Sequence, residues 1–99
     1  MRIISRVALK NFWQDRRYRD SEQPLKAWYD EAKHGVWQKP QDIKDQYRNA
    51  SFLNNNRVVF NIHGNTYRLI IAVKYDFGIC YIRFVGTHKQ YDSINAETI

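Results

Sequence analysis

The sequence has a single cysteine, Cys80, two prolines and four glycines. One thiol excludes a disulfide framework. Its neighbours, in Gly-Ile-Cys-Tyr-Ile, are those of a strand, so a free buried thiol is expected. No apolar run approaches the length of about 20 residues that a membrane-crossing helix needs. The opening stretch, MRIISRVALK, lacks the apolar core and small-residue cleavage site of a secretion signal. A soluble compartment, most simply the cytoplasm, is therefore expected. No Gly-rich phosphate loop and no dinucleotide fingerprint is present. The three histidines, His34, His63 and His88, are widely spread and stand without a cysteine pair, so no zinc spacing exists. The acidic residues are scattered rather than gathered for magnesium. Neither a metal nor a cofactor is expected. Asp76-Phe77-Gly78 spells a kinase motif, but it reads as a hairpin turn in a chain far too short for that fold.

Acidic residues are the scarce charge. Sixteen Lys and Arg face ten Asp and Glu, for a net charge of +6, and the isoelectric point is about 9.6. For a small domain this favours a polyanionic partner: RNA, DNA or a very acidic protein. The 99 residues read as one domain, and 43% hydrophobic with 15% aromatic residues can fill a modest core.

The chain divides by texture near residues 46–57. The first part reads helical. Met1 to Ile4 read as a short strand, and Ser5 as the N-cap of a helix running to about Asp15. A basic stretch follows, with Arg16, Arg17 and Arg19 around Tyr18. A second helix starts at Ser21. Leu25, Trp28, Tyr29 and Ala32 fall on one face of it, and Gly35 stops it. Ile43 and Tyr47 anchor a helical turn in the connection, and Asn54 to Asn56 read as loop. The second part alternates apolar and polar residues: RVVFNI, TYRLIIAVKY and ICYIRFVGT, joined by the turns HGN and DFG. Three such runs with short turns predict an antiparallel meander. Cys80, Ile82, Phe84 and Gly86 are expected on one face of the last strand. The whole is α+β: two N-terminal helices covering one face of a twisted antiparallel sheet. The other face is expected to be partly open, with Arg68 and Lys74 making it a basic concave surface.

Two stretches carry a resemblance. VVFNIHGNTYRLIIAVKY has an asparagine, a Gly64-Asn65 turn and Arg68. CYIRFVGTHKQYD ends in Thr87-His88-Lys89-x-Tyr91-Asp92. With WQKPQDIK in the middle, the chain resembles the HigB-type toxins of the RelE superfamily over nearly its whole length. The resemblance implies the compact RelE-like microbial RNase fold. It also implies a type II toxin that cleaves mRNA on the translating ribosome. Its partner would be a HigA-like antitoxin with a helix-turn-helix domain, through which the complex would bind operator DNA.

Metal-free RNA cleavage uses the 2′-hydroxyl as nucleophile. It needs a proton acceptor, a proton donor for the leaving 5′-oxygen, and positive charge on the phosphorane. His88 is the leading acid or base, because an ordinary imidazole, with a pKa of about 6.5, works either way near neutrality. Tyr91 lies one helical turn on, and either donates to the leaving group or stacks on a base. Asp92 either orients His88 or caps a turn. Arg68 is the phosphate clamp that the resemblance implies; its guanidinium matches phosphate oxygens in a fork. Lys74, Arg83 and Lys89 are secondary candidates for the RNA backbone. Arg16, Arg17 and Arg19 would grip either ribosomal RNA or an acidic antitoxin surface. His63, in a turn, reads as structural or exposed. The alternatives to a nuclease are a non-catalytic RNA- or ribosome-binding module and a subunit of a transcription-repressing complex.

Overall fold

The computed structural model describes residues 1–99. Its elements are, in order, β1 (Arg2–Ile4), α1 (Arg6–Gln14), a 3-10 segment (Arg16–Ser21), α2 (Glu22–His34), α3 (Pro40–Gln46), β2 (Ser51–Leu53), β3 (Arg57–Ile62), β4 (Tyr67–Lys74), a 3-10 turn (Tyr75–Phe77), β5 (Ile79–Thr87) and α4 (His88–Asp92). The expected α+β class holds.

The two longer helices follow from their apolar spacing. Leu9 and Trp13, four apart, are the buried residues of α1. Ser5 stands at its N-cap position, but its side chain makes no capping bond. The Asp15 carboxylate ends this helix and starts the 3-10 segment by accepting the Arg17 N–H at 3.0 Å. Leu25, Trp28 and Ala32 are the buried face of α2. Gly35 does follow it, but not as a left-handed cap, since its φ is −71°. What glycine supplies there is space, because a Cβ would come within 2.8 Å of the Trp37 indole nitrogen. The helical turn expected around Ile43 is α3, which has Pro40 in its first turn and Ile43 buried.

The sheet is larger than the meander and is mixed. Its five strands lie in the order β1-β5-β4-β3-β2. The two pairings of the meander, β3 with β4 and β4 with β5, are antiparallel as expected; β2 adds to β3 antiparallel and β1 adds to β5 in parallel. Strand β2 comes from residues read as connecting loop. Asn55 and Asn56, at φ 62° and 57°, turn the chain back from it. Asparagine tolerates that left-handed backbone well.

The main core lies between the helices and one sheet face. It joins Leu9, Trp13, Leu25, Trp28 and Trp37 to Phe60, Leu69, Ile71, Val73 and Cys80. Cys80 is a free buried thiol, as expected. Burial pushes it up to about 12, so it stays protonated and inert.

Two expectations about the sheet faces fail. Phe84 and Gly86 do not share a face with Cys80 and Ile82. The register pairs Ile71 with Ile82 but Ile70 with Phe84, so a bulge at Arg83 shifts the alternation by one. Beyond it Val85 packs with the main core, while Phe84 turns to the opposite face. That opposite face is not an open basic surface either. The C-terminal segment covers it, with Ala96, Ile94, Ile99 and Tyr91 packing on Val59, Ile70 and Phe84. Arg68 and Lys74 do share this face. They occupy the two ends of an eight-residue strand, roughly 20 Å apart.

Candidate active site

One end of the sheet gathers the polar groups. Tyr67 starts β4 and pairs with both Ile62, the last residue of β3, and Thr87, the last of β5. His63 and His88 are the next residues after those two partners. Arg68 follows Tyr67, and it has Asn61 and Gly86 as its register neighbours.

His88 opens α4, and a reciprocal cap fixes that helix. Thr87 Oγ1 accepts the Gln90 N–H at 3.1 Å, and Gln90 Oε1 accepts the Thr87 N–H at 2.8 Å. Asp92, one turn on, places Oδ2 at 3.1 Å from His88 Nδ1. With Nδ1 facing the carboxylate, Nε2 is the nitrogen left for a substrate, on a side chain that is 56% exposed. Asp92 thus stands where a carboxylate can orient the ring. Tyr91 is half-buried and packs against the apolar cluster of the C-terminal segment.

Arg68 is half-buried. One of its terminal nitrogens donates to the carbonyls of Asn65, at 3.0 Å, and Tyr67, at 3.2 Å. It pairs with no carboxylate, so its charge is uncompensated. A fixed guanidinium with free N–H groups is a ready phosphate ligand. Gly86 opposite has no room for a side chain; a Cβ would lie 2.5 Å from the Phe84 ring and 2.7 Å from Gln90 Oε1.

The remaining predicted residues are dispersed. Lys74 is exposed at the far end of β4. Arg83 is exposed at the bulge, 5.6 Å from the Tyr81 ring. Arg17 is held by the Asp15 carboxylate at 2.8 Å. Lys89, Arg16 and Arg19 are exposed. The 3-10 segment that carries Arg16 and Arg19 borders the site, because Gln90 Nε2 donates to Tyr18 OH at 3.4 Å. No three His, Cys, Asp or Glu side chains converge as metal ligands.

A second group was not foreseen. Asp20 of the 3-10 segment accepts a hydrogen bond from the buried Tyr67 hydroxyl. It also approaches His63 Nε2 at 3.6 Å. Phe12, Tyr18 and Tyr67 form an aromatic cluster behind it. Local sequence gives no sign of this, since residues 20, 63 and 67 meet only through the packing of the 3-10 segment on the sheet end. The one available signal was the HGN turn. His63 adopts φ 55°, a left-handed backbone that costs a non-glycine residue about 1–2 kcal/mol.

Burial, with the Asp20 hydrogen bond, pushes the Tyr67 hydroxyl up from 10.0 to about 12. The neutral phenol is favoured in the folded state, so its stabilisation is complete below pH 10 and is lost as pH rises through about 12. Urea midpoints measured across that interval are expected to fall for the wild type. Tyr67→Phe is expected to flatten part of the slope. An unchanged slope would show that Tyr67 is not responsible.

Comparison with known proteins identifies the family. A family model described as HigB_toxin, RelE-like toxic component of a toxin-antitoxin system, matches residues 21–94. The mRNA interferase toxin HigB of Escherichia coli (strain K12) is 32% identical over 97% of this chain and 92% of its own length. The mRNA interferases HigB of Escherichia coli O157:H7 and Shigella flexneri match to the same extent. On that similarity, spanning almost the whole of both chains, this protein belongs to the HigB toxin family, the RelE-like toxic components of toxin–antitoxin systems.

Proposed function

We propose that the chain is the toxin of a type II pair and an endoribonuclease that cleaves mRNA on the translating ribosome. The observation that supports this best is His88, held by Asp92 at 3.1 Å, at the same sheet end as the uncompensated Arg68. The 2′-oxygen attacks the adjacent phosphorus and the bond to the 5′-oxygen breaks. The products are a 2′,3′-cyclic phosphate and a 5′-hydroxyl. His88 Nε2 carries one of the two proton transfers, with Asp92 stabilising the imidazolium that forms. Arg68 neutralises the phosphorane. Tyr91 contacts the leaving group or an adjacent base. Lys89, Arg16 and Arg19 hold the backbone around this end, and Lys74 and Arg83 only more remote RNA. The reaction uses no metal.

The neutralising partner is a HigA-like antitoxin with a helix-turn-helix domain. The complex binds operator DNA through that partner, and both proteins act in the cytoplasm. The test is primer extension on an mRNA translated in a reconstituted system, beside naked RNA with EDTA. Cuts only with ribosomes are expected. Cuts on naked RNA in EDTA would keep the chemistry and remove the ribosome from it. RNA or ribosome binding without cuts in either arm would establish the binding-module reading instead.

A further inference from the structure

Asp20 and His63 lie on the flank of Tyr67 opposite to Arg68, because Tyr67 packs on the helix side of the sheet and Arg68 on the other. Tyr67 takes one oxygen of Asp20 and so fixes the carboxylate. The second oxygen faces outward beside His63 Nε2 at 3.6 Å, and the Asp20 and His63 side chains are 55% and 48% exposed. The His63 ring lies within 27° of parallel to Tyr67, centroids 6.4 Å apart. The strained backbone of His63 keeps a planar ring where glycine would fit with less strain. Stacking surfaces beside a fixed hydrogen-bonding group, at the sheet end that also carries Arg68, are what single-stranded RNA recognition requires.

We propose that Asp20 and His63 form the subsite for a base next to the scissile phosphate, and so determine where the RNA is cut. This rests on the RNA-cleavage reading above. His63 stacks on the base. The free oxygen of Asp20 is an acceptor with no donor capacity. It takes the exocyclic amino group of adenine, cytosine or guanine and repels the O4 carbonyl of uracil. The subsite therefore selects an amino-bearing base.

Asp20→Asn separates this from a structural role. With its carbonyl kept on the Tyr67 hydroxyl, the variant turns an amide N–H toward the base where the wild type has an acceptor. The test maps cleavage sites by sequencing on translated mRNAs that differ only at the nucleotides flanking one cut. Wild type is expected to favour the amino-bearing bases over uracil at one flanking position. In Asp20→Asn that preference falls roughly tenfold or inverts. His63→Gly suits the left-handed turn and removes only the ring. It lowers cleavage at the preferred sites and narrows the spread between bases. A uniform drop at all sites, or an unchanged profile in both variants, overturns the subsite while leaving the nuclease intact. Absence of cleavage by the wild type overturns the nuclease reading, and the subsite with it.

Discussion

His88→Ala is expected to lower mRNA cleavage by about 100- to 10,000-fold, the usual contribution of a positioned acid or base. The side chain is 56% exposed and its one close polar partner is Asp92, so the fold should survive. Single-turnover rates on programmed ribosomes measure the effect, with circular dichroism and ribosome binding as controls. The argument rests on geometry. Thr87 and Gln90 lock the first turn of α4 to the end of β5, which fixes the backbone that carries the ring. Asp92 then leaves one ring nitrogen for the substrate. Asp92→Asn should cost less, since an amide still orients the ring but no longer stabilises its cation. A His88→Ala rate within about threefold of wild type would remove histidine from the mechanism, because acid–base catalysis is worth far more than that.

Arg68→Ala is expected to cost about 100- to 1,000-fold in the same assay, the range found when a donor to transition-state charge is removed. Arg68→Lys should recover only part of the loss. Lysine keeps the charge, but it cannot hold the Asn65 and Tyr67 carbonyls and still offer a fork to phosphate. The two variants together distinguish a phosphate clamp from simple attraction of RNA to a basic surface. Under simple attraction Arg68→Lys would match the wild type, and the loss in Arg68→Ala would disappear on lowering the salt. Lys74→Ala makes the contrast, since Lys74 is at the other end of the same strand, roughly 20 Å from Arg68.

The readings that held were those set by local spacing. Leu25, Trp28 and Ala32 recur at helical intervals, and they are the buried face of α2. The alternation in residues 67–73 is that of a strand with one face on the core. The readings that failed needed distant partners. The pairing of β1 with β5 spans most of the chain. The bulge at Arg83 follows from how β5 is laid against β4, and alternation alone does not show it. The open basic face failed because residues 94–99, which carry no strong periodicity, fold back over Ile70 and Val59.

By itself the sequence determined the α+β class, the helix-then-strand order and the positive charge. Each depends on residues a few positions apart, or on composition, and so needs no knowledge of the fold. Only the tertiary structure decided which basic residues stand together and which are separated. It brought Asp20 to His63 and Tyr67, set Arg68 one strand from the start of α4, and left Lys74 far away. Those choices belong to strand register and to the seating of the 3-10 segment on the sheet end. Both are fixed by the burial of side chains distant in sequence, which no local pattern encodes.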